Sequence, residues 1–468
     1  MKLPAHKTKI VCTIGPASRH PEVLKDLILN GMNVARLNFS HADLAEHTEN
    51  ILRIRAAAES LNLPVAIMID LPGPKIRIGK LQNQPLTLKK GEYVTLTTRN
   101  IPGSQIFIPV KYKQLPQSVS TGSSIYLNDG FIQLKVRNIL KSDIYCEIIV
   151  GGQLLSNKGL NLPDANLSID AITKRDFEFI DFGLKNGINI FAVSFVSSAT
   201  DIIKIKKFAK KKGKKVYVIA KIERNEAVRN IDEITNAADA IMVARGDLGV
   251  QVPIEQVPMI QKNLIRKANI KGIPVITATQ MLESMTQNLR PTRAEATDVA
   301  NAIIDGTDAV MLSEETAIGK FPIQTVRMMA SIAANTESKF ADVLKFDMER
   351  YFENLPEFRK APVEDILSMS VFEATQVSDI KLIAAVSAEN MPRKISRFKP
   401  HCWIAAFHPD EKTREFFSFS AGVYPLAFKN NLKNPQKKII DTLKKIGLSK
   451  KNEKLVLTFA DSLQILAV

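Results

Sequence analysis

The chain has 468 residues, 45% of them hydrophobic and 24% charged, a composition typical of a folded globular protein. Its net charge of +16 favours anionic partners, but only 6% of residues are aromatic and the basic clusters at 204–215 and 433–451 lack interleaved rings, which argues against a nucleic-acid platform. No apolar run has the length of a membrane span, and the three scattered cysteines lack disulfide spacing. We therefore expect a cytoplasmic protein with no membrane or nucleic-acid partner.

Eight short apolar runs recur along the chain, separated by amphipathic helical patterns. Apart from one interruption, their starts lie roughly 25–35 residues apart, the repeat expected of a (β/α)₈ TIM barrel. The predicted strands are 10–14, 34–37, 65–69, 188–195, 216–220, 240–243, 275–278 and 309–312. The predicted helices are 21–29, 44–60, 173–186, 199–212, 227–234 (as one helix), 254–269 and 293–305.

The interruption at 72–166 has a different pattern. It contains alternating apolar and polar runs separated by turn signals such as Asn128-Asp129-Gly130, which predict a small antiparallel β domain. The predicted strands are 93–97, 124–127, 131–136 and 145–149. Because this domain leaves the barrel after the third strand, at the end where barrels carry active sites, it is placed to close as a lid.

After residue 339 the strand–helix repeat stops. A helical connection is predicted at 340–359, followed by helices at 367–376 and 434–446 and strands at 382–386, 403–407, 423–426 and 455–459. The chain is thus predicted to be α/β throughout, with three domains. They are a barrel of residues 1–71 and 167–339, an inserted β lid of 72–166, and a C-terminal α/β domain of 340–468.

Polar side chains follow nearly every predicted barrel strand at the same end. In chain order they are Arg36, Asn38, Ser40, His41, Asp70, Lys75, Arg77, Ser194, Lys221, Glu223, Arg245, Asp247, Thr279, Gln280, Ser313 and Glu315. After a single strand, such residues are explained equally well as solvated loop charges. A full ring is different, because core packing does not require it, and it predicts an active site.

The chemistry that suits this ring is phosphoryl transfer, in which cations held in position stabilise the charge on the phosphate oxygens. Lys221, Arg36 and Arg77 supply fixed positive charge. Glu223 and Asp247 are hard oxygen ligands for Mg²⁺, with Mn²⁺ as the alternative, and leave room for water and substrate ligands.

Two further features fit an anionic substrate. The run 246–249 leads into a helical pattern, and we expect its free backbone N–H groups to hold a carboxylate. The hydroxyls of Thr279 and Ser313 are suited to orienting a group or relaying a proton, although each alone is more often an ordinary capping or loop residue.

These residues lie in stretches specific enough to compare with a known family. The stretches are 12–18 (CTIGPAS), 31–41 (GMNVARLNFSH), 70–77 (DLPGPKIR), 220–223 (AKIE), 243–249 (VARGDLG), 277–285 (TATQMLESM), 290–295 (RPTRAE), 311–313 (MLS) and 315–316 (ET). On these matches the chain resembles pyruvate kinase nearly from end to end. The resemblance implies a barrel with an inserted small β-barrel lid, a C-terminal α/β domain and a homotetramer. It also implies phosphoryl transfer from phosphoenolpyruvate to ADP, the last step of glycolysis.

The resemblance also implies roles for individual residues. Glu223 and Asp247 hold Mg²⁺, Lys221 stabilises the phosphoryl group in transfer, and Arg36 meets the phosphate. The remaining roles divide between the substrate carboxylate (Gly246, Asp247 and Thr279), protonation of the enolate (Thr279 and Ser313) and the nucleotide (Asn38, His41, Arg77 and Lys158).

The monovalent-cation site departs from the family pattern. Most members bind K⁺ through residues matching Asn38, Ser40, Asp70 and the carbonyl of Leu71, and those members have Glu at the position of Lys75 and Thr at that of Leu71. The ammonium group of Lys75 is able to take the place of the ion. We therefore predict activity without K⁺.

Other departures concern regulation and proton delivery. Residues 387–393 lack the glycine and Ser/Thr-rich character of the family's sugar-phosphate loop, and 459–463 form a bare turn where the family has a long loop. Both features predict weak or absent activation by fructose 1,6-bisphosphate.

Glu314 replaces the usual Gly beside Ser313, and Ile318 stands where a cation is common, so details of protonation and nucleotide contact are expected to differ.

One alternative of another enzyme class is a metal-dependent lyase or aldolase acting on pyruvate-like substrates. Such barrels also present a Glu and an Asp to Mg²⁺, but they lack the combination of Lys221 with the 277–285 motif. A nucleic-acid-binding protein is favoured only by the net charge of +16.

Overall fold

The computed structural model describes residues 3–128, 130–163, 170–353, 362–386, 390–428, 434–459 and 462–468, with the backbone alone for 340–353. Several parts of the predictions fall outside this range. They are 387–389 in the predicted effector loop, Ala460 and Asp461 in the predicted bare turn, the end of the predicted lid at 164–166, and 354–359 of the predicted helical connection.

The chain begins with strand–helix units, as predicted. They are β1 (Lys9–Thr13), α1 (Pro21–Leu29), β2 (Met32–Asn38), α2 (Leu44–Leu61) and β3 (Ala66–Leu71). The helix starts follow from local chemistry. Proline opens α1, where its missing N–H costs nothing, and the Asp43 side chain caps α2 by accepting a hydrogen bond from the Glu46 N–H.

The insertion after β3 consists mainly of short strands. They are β4 (Leu86–Leu88), β5 (Tyr93–Thr97), β6 (Phe107–Pro109), β7 (Ser124–Leu127), β8 (Ile132–Leu140), β9 (Asp143–Val150), β10 (Gly152–Leu154) and β11 (Leu160–Asn161), with one short helix, α3 (Leu115–Ser118). The main sheet has the order β11-β7-β8-β9-β5-β6, and β10 pairs with β4. Most pairs are antiparallel, but β5 and β6 are parallel. Because the edge strands β11 and β6 do not pair with each other in the described residues, the closed lid barrel that was expected is not seen there.

The barrel continues after the insertion. Its elements are α4 (Lys174–Lys185), β12 (Ile190–Val193), α5 (Ala199–Lys211), β13 (Tyr217–Ile222), α6 (Asn225–Arg229), α7 (Ile231–Ala237), β14 (Ala240–Ala244), α8 (Arg245–Gln251), α9 (Val257–Lys271), β15 (Val275–Ala278), α10 (Arg293–Ile304), β16 (Ala309–Leu312) and α11 (Glu314–Ala317). Short 3₁₀ turns cover Ile254–Gln256 and Glu283–Thr286.

Eight parallel strands close into a ring in the order β1-β16-β15-β14-β13-β12-β3-β2, which confirms the predicted TIM barrel. Each of the eight predicted strands is present; 275–278 and 309–312 have the predicted bounds, and the other six have shifted ends. Three helical predictions need correction. The single helix at 227–234 is two helices, because the chain turns at Asn230, whose side chain donates to the Ser197 carbonyl. The helix predicted from 254 begins as a 3₁₀ turn, and 246–249 lie inside α8 and not before it.

The last part of the chain forms a separate α/β layer. Helix α12 (Pro322–Glu353) leads into α13 (Val363–Val377), β17 (Ile380–Val386), α14 (Met391–Ser396), β18 (Trp403–His408), α15 (Glu411–Phe417), β19 (Val423–Ala427), α16 (Pro435–Lys445), β20 (Lys454–Thr458) and β21 (Leu463–Ala467). The sheet order is β19-β18-β17-β20-β21, parallel except for β21. Helix α12 runs across the predicted domain boundary at 339/340, and the domain limits stay predictions. No helix in the described ranges is both long and apolar enough to cross a membrane.

Buried ion pairs connect this layer to the amino-terminal end of the barrel. The Asp308 carboxylate, just before β16, is fully buried and accepts hydrogen bonds from Arg393 at 2.5 Å and from Lys399 at 2.7 Å. Burial disfavours the charge on Asp308, but the two cations outweigh it and lower the pKa. Burial lowers the pKa of Lys399 to about 8.

Candidate active site

Three strand-end side chains meet at the carboxyl-terminal mouth of the barrel. Asp70 is the penultimate residue of β3, and one of its oxygens accepts from Arg36 Nε at 2.7 Å while the other accepts from Lys221 Nζ at 3.1 Å. Arg36 comes from β2 and Lys221 from β13. All three side chains are buried, so the barrel itself fixes two cations around one carboxylate.

The ionisation of these groups follows from their burial and charge. Burial raises the pKa of Asp70, but the Coulombic attraction of Lys221 and Arg36 is stronger, and the net pKa is lowered. Burial also opposes the charge on Lys221. The nearby Asp70 and Glu223 carboxylates more than compensate and raise the pKa of Lys221, so its side chain is a permanent cation at neutral pH.

Glu223 is a deeply buried acid at the mouth, with 1% exposure. One oxygen accepts from the Phe195 backbone N–H at 2.7 Å, and the other lies 2.9 Å from Lys221 Nζ. Burial, with a smaller repulsion from Asp247, raises the pKa of Glu223 despite the attraction of Lys221. The site therefore holds a buried carboxylate whose charge is incompletely compensated by the protein.

Asp247 completes this acidic pair from helix α8. Its carboxylate lies 3.4 Å from Lys75 Nζ, and both side chains are partly exposed. Glu223, Asp247 and Lys221 are thus close enough to interact electrostatically. No cluster of three or more His, Cys, Asp or Glu side chains with metal-binding geometry occurs in the described part of the chain. A divalent ion held by Glu223 and Asp247 would need ligands from water or substrate.

Three of the four residues predicted to bind K⁺, namely Asp70, Leu71 and Asn38, have oxygens that accept hydrogen bonds from the protein. The Leu71 carbonyl accepts from Ser194 Oγ at 2.7 Å, and the same Ser194 oxygen accepts from Lys221 at 2.8 Å. The Asn38 side-chain oxygen accepts from the Ser40 N–H at 3.1 Å. With Asp70 held by two cations, each of these oxygens already has a hydrogen-bond donor.

The loop after β15 lies against the start of α8. The Gly246 N–H donates to Thr279 Oγ at 2.7 Å, so this N–H, expected to be free for a carboxylate, is engaged by a side chain. Thr279 has φ = +70°, an uncommon conformation for a β-branched residue. This conformation brings the Thr279 hydroxyl to the start of α8, beside Asp247.

Arg245 differs from the expectation that strand-end charges face the substrate. Its guanidinium donates to the Asp298 carboxylate at 2.6 Å and to the Thr279 carbonyl at 2.7 Å. Arg245 thus braces the Thr279 loop against helix α10.

The eighth strand adds Ser313, whose backbone N–H donates to the buried Glu315 carboxylate at 2.6 Å. Glu315 also accepts from the Leu282 N–H at 3.1 Å, which ties the loops after β15 and β16 together. Thr13, to which the sequence assigned no role, accepts from Arg36 Nη1 at 2.8 Å and donates to the Leu312 carbonyl at 2.9 Å. Its position was the signal that would have found it, because Thr13 ends β1 and the polar residues at the carboxyl ends of barrel strands are the ones expected in the active site.

The predicted nucleotide residues fall into two groups. Arg77 donates to the Asn157 carbonyl at 3.0 Å and the Lys158 carbonyl accepts from the Ile78 N–H, so Arg77 and Lys158 lie on neighbouring segments at the base of the insertion. Asn38 and His41 lie in the loop after β2, with His41 exposed. Within the described residues no hydrogen bond joins the two groups.

Comparisons with known proteins show which family the chain is similar to. Family models match twice: "Pyruvate kinase, barrel domain" over residues 5–326 and "Pyruvate kinase, alpha/beta domain" over 364–465. The chain belongs to the pyruvate kinase family. It is therefore a phosphotransferase of the kind that acts on phosphoenolpyruvate.

Individual relatives support the same assignment. The chain is 50% identical over 459 residues to a pyruvate kinase of Thermococcus litoralis, covering 98% of this chain and 96% of the relative. It is 44% identical over 424 residues to pyruvate kinase 2 of Synechocystis, covering 90% and 70%. A crystal structure of a pyruvate kinase from Cryptosporidium parvum superposes with a TM-score of 0.93 at 34% identity, covering 99% of this chain and 96% of that one.

Proposed function

We propose that this pyruvate kinase family member transfers the phosphoryl group of phosphoenolpyruvate to ADP, giving pyruvate and ATP, with Mg²⁺ and without a requirement for K⁺. The observation that carries the proposal is the position of Lys221. Its ammonium group is held between Asp70 at 3.1 Å and Glu223 at 2.9 Å, at the mouth of the barrel. A cation fixed in advance stabilises a transferring phosphoryl group without reorganisation at the moment of reaction.

The donor set fits a divalent metal ion. Glu223 is a buried carboxylate whose pKa is raised, mainly by burial, and Asp247 is close enough to add to that rise. A bound cation would offset both the burial of the Glu223 charge and its repulsion by Asp247. Two carboxylates also leave coordination sites for phosphate oxygens and water. When bound, Mg²⁺ supplies charge neutralisation for the phosphate oxygens.

The protein's own groups account for the rest of the substrate. Arg36, held by Asp70 and Thr13, faces the phosphoryl group together with Lys221. The Thr279 hydroxyl and the start of α8 at Gly246 and Asp247 bind the carboxylate. This requires the Thr279 hydroxyl to exchange its present hydrogen bonds for the substrate.

Proton delivery and nucleotide binding use the remaining residues. We assign protonation of the enolate to the hydroxyls of Thr279 and Ser313, next to Glu314. Asn38 and His41 from the barrel and Arg77 and Lys158 from the insertion bind ADP from two sides. The insertion closes over the substrates as a lid and excludes water from the transfer.

Two observations support independence from K⁺. The oxygens of Asp70, Leu71 and Asn38 that would bind the ion have protein donors. Lys75 supplies a cation beside Asp247, within 3.4 Å. An ammonium group fixed to the chain supplies the positive charge that other family members take from the solvent.

We further propose a cytoplasmic homotetramer, which rests on the family resemblance and is checked by light scattering of the purified protein.

The activity is tested by measuring pyruvate and ATP formed from phosphoenolpyruvate and ADP in a K⁺-free buffer with Mg²⁺. Equal amounts of the two products are expected. Consumption of phosphoenolpyruvate without ATP would instead favour a lyase-type reaction.

A further inference from the structure

A cavity of 320 Å³ lies between the barrel and the C-terminal layer, at the end of the barrel opposite the active site. Tyr217, at the start of β13, and Pro274, just before β15, line it from the barrel side. Helices α14 and α15 line it from the other side. We call this cavity the interdomain cleft.

The cleft is lined by four cations, Lys215, Lys271, Arg393 and Lys394. Among its lining residues the only carboxylate is that of Asp239. That carboxylate is already engaged, because it lies 2.8 Å from Lys206 Nζ and accepts from the Val218 N–H at 2.8 Å.

Two of these cations form ion pairs with described residues, and Lys271 does not. Lys394 pairs with Asp365 at 3.1 Å, and Arg393 pairs with Asp308 through one terminal nitrogen. Arg393 is 4% exposed, yet its Nε has no hydrogen-bond partner in the described structure. Lys271 has no ion pair or hydrogen bond from its side chain to any described residue.

We propose that the interdomain cleft binds a small phosphate-bearing anion. Lysine and arginine are the side chains that recognise phosphate oxygens, and the buried Nε of Arg393 is a donor that lacks an acceptor. The volume is near the lower end for ligand pockets, which limits the ligand to a small molecule.

The other walls suit the organic part of such a molecule. Tyr217 stacks on Phe416 with ring centroids 4.2 Å apart, giving a flat apolar surface on one side. Asn236 and Ser420 add polar groups that pair with hydroxyls. Lys221 and Glu223 do not line the cleft, so this site is separate from the one that binds phosphoenolpyruvate.

The proposal is tested by titrating inorganic phosphate into the full-length protein and measuring binding by calorimetry and by the melting temperature. Lys271→Glu reverses one charge at the cleft, and we expect it to weaken the phosphate affinity about tenfold, the loss of one charge-assisted bond. The matched control is Lys90→Glu, which makes the same charge change at an exposed turn of the insertion.

Phosphate can also bind beside Lys221, but it does so equally in the wild type and in every variant. A difference in phosphate affinity between the variants therefore reports binding in the interdomain cleft. Asn236→Asp, which adds a carboxylate to the lining, is a second variant and should weaken binding as well. The KM for phosphoenolpyruvate should stay unchanged in each variant, which separates this test from that of the proposed catalytic activity. Equal phosphate affinities for Lys271→Glu, Asn236→Asp and Lys90→Glu would overturn the proposal.

Discussion

The Asp70 carboxylate lies 3.1 Å from the Lys221 ammonium group, although 151 positions separate the two residues in the chain. The same carboxylate holds Arg36 through its second oxygen. Asp70 thus acts as a buried anchor for two cations, which we propose to face the phosphoryl group of the substrate. This role differs from the K⁺ ligation that the family resemblance assigns to it.

Replacing Asp70 with Asn should therefore damage both stability and turnover. The change leaves Arg36 without its counter-charge and leaves Lys221 with Glu223 alone, and we expect the free energy of unfolding to fall by about 3 kcal/mol. Turnover should fall at least about 100-fold, because Lys221 and Arg36 lose their fixed positions. Urea unfolding and steady-state kinetics measure the two effects.

The matched control for Asp70→Asn is Glu22→Gln, which removes a carboxylate from an exposed pair with Lys25. Exposed pairs contribute little to stability, so this variant should unfold like the wild type. Equal unfolding curves for Asp70→Asn and Glu22→Gln would show that Asp70 does not anchor the two cations.

The second prediction concerns Lys75. In K⁺-free buffer the wild-type enzyme should reach nearly its full rate, and adding K⁺ should change that rate by less than about twofold. Lys75→Glu should lower the K⁺-free rate and make it rise again with added K⁺, because the ion then replaces the lost ammonium group. Initial rates measured across a K⁺ series check both statements. A large K⁺ activation of the wild type would contradict the role given to Lys75.

The third prediction concerns pH. Burial, together with the nearby Glu315, Glu314 and Glu295, raises the pKa of Glu283 from 4.5 to about 7. Between these two values the folded protein keeps a proton that the unfolded chain releases, so this group's contribution to stability falls as pH rises through the window.

Glu283→Gln removes that contribution. Its melting temperature relative to the wild type should increase between pH 5 and pH 8, as differential scanning calorimetry can measure. Glu59→Gln, at an exposed position on α2, serves as the control and should show no such trend. A pH-independent difference for Glu283→Gln would mean that Glu283 ionises normally.

The fourth prediction concerns regulation. Residues 387–393 and 459–463 lack the features of a sugar-phosphate site, so fructose 1,6-bisphosphate should leave the phosphoenolpyruvate saturation curve unchanged. Initial rates with and without the compound check this. Conversion of a sigmoid curve to a hyperbolic one would contradict it.

The barrel was predictable because its strands are buried on both faces and leave a periodic apolar signal. The strand-end rule then places Arg36, Asp70, Lys221, Glu223 and Asp247 at one mouth from the sequence alone. That rule follows from the parallel arrangement of the strands and requires no knowledge of side-chain contacts.

The contacts themselves were not predictable. Apolar periodicity indicates which residues are buried, but it does not indicate how neighbouring strands are staggered. That stagger determines that the Asp70 side chain bonds to Lys221. The Gly246 N–H was expected to be free because the sequence does not reveal that Thr279, at φ = +70°, reaches back to it. The break between α6 and α7 depends on Asn230 bonding to Ser197, 33 positions away.

The most direct test is the formation of pyruvate and ATP from phosphoenolpyruvate and ADP by wild-type protein and by Lys221→Met, with Mg²⁺ present. The wild type should form both products in equal amounts. Lys221→Met should keep its fold by circular dichroism and bind phosphoenolpyruvate, yet lose at least about 100-fold in turnover. A folded Lys221→Met variant with wild-type turnover, or a wild type that makes no ATP, would contradict the account.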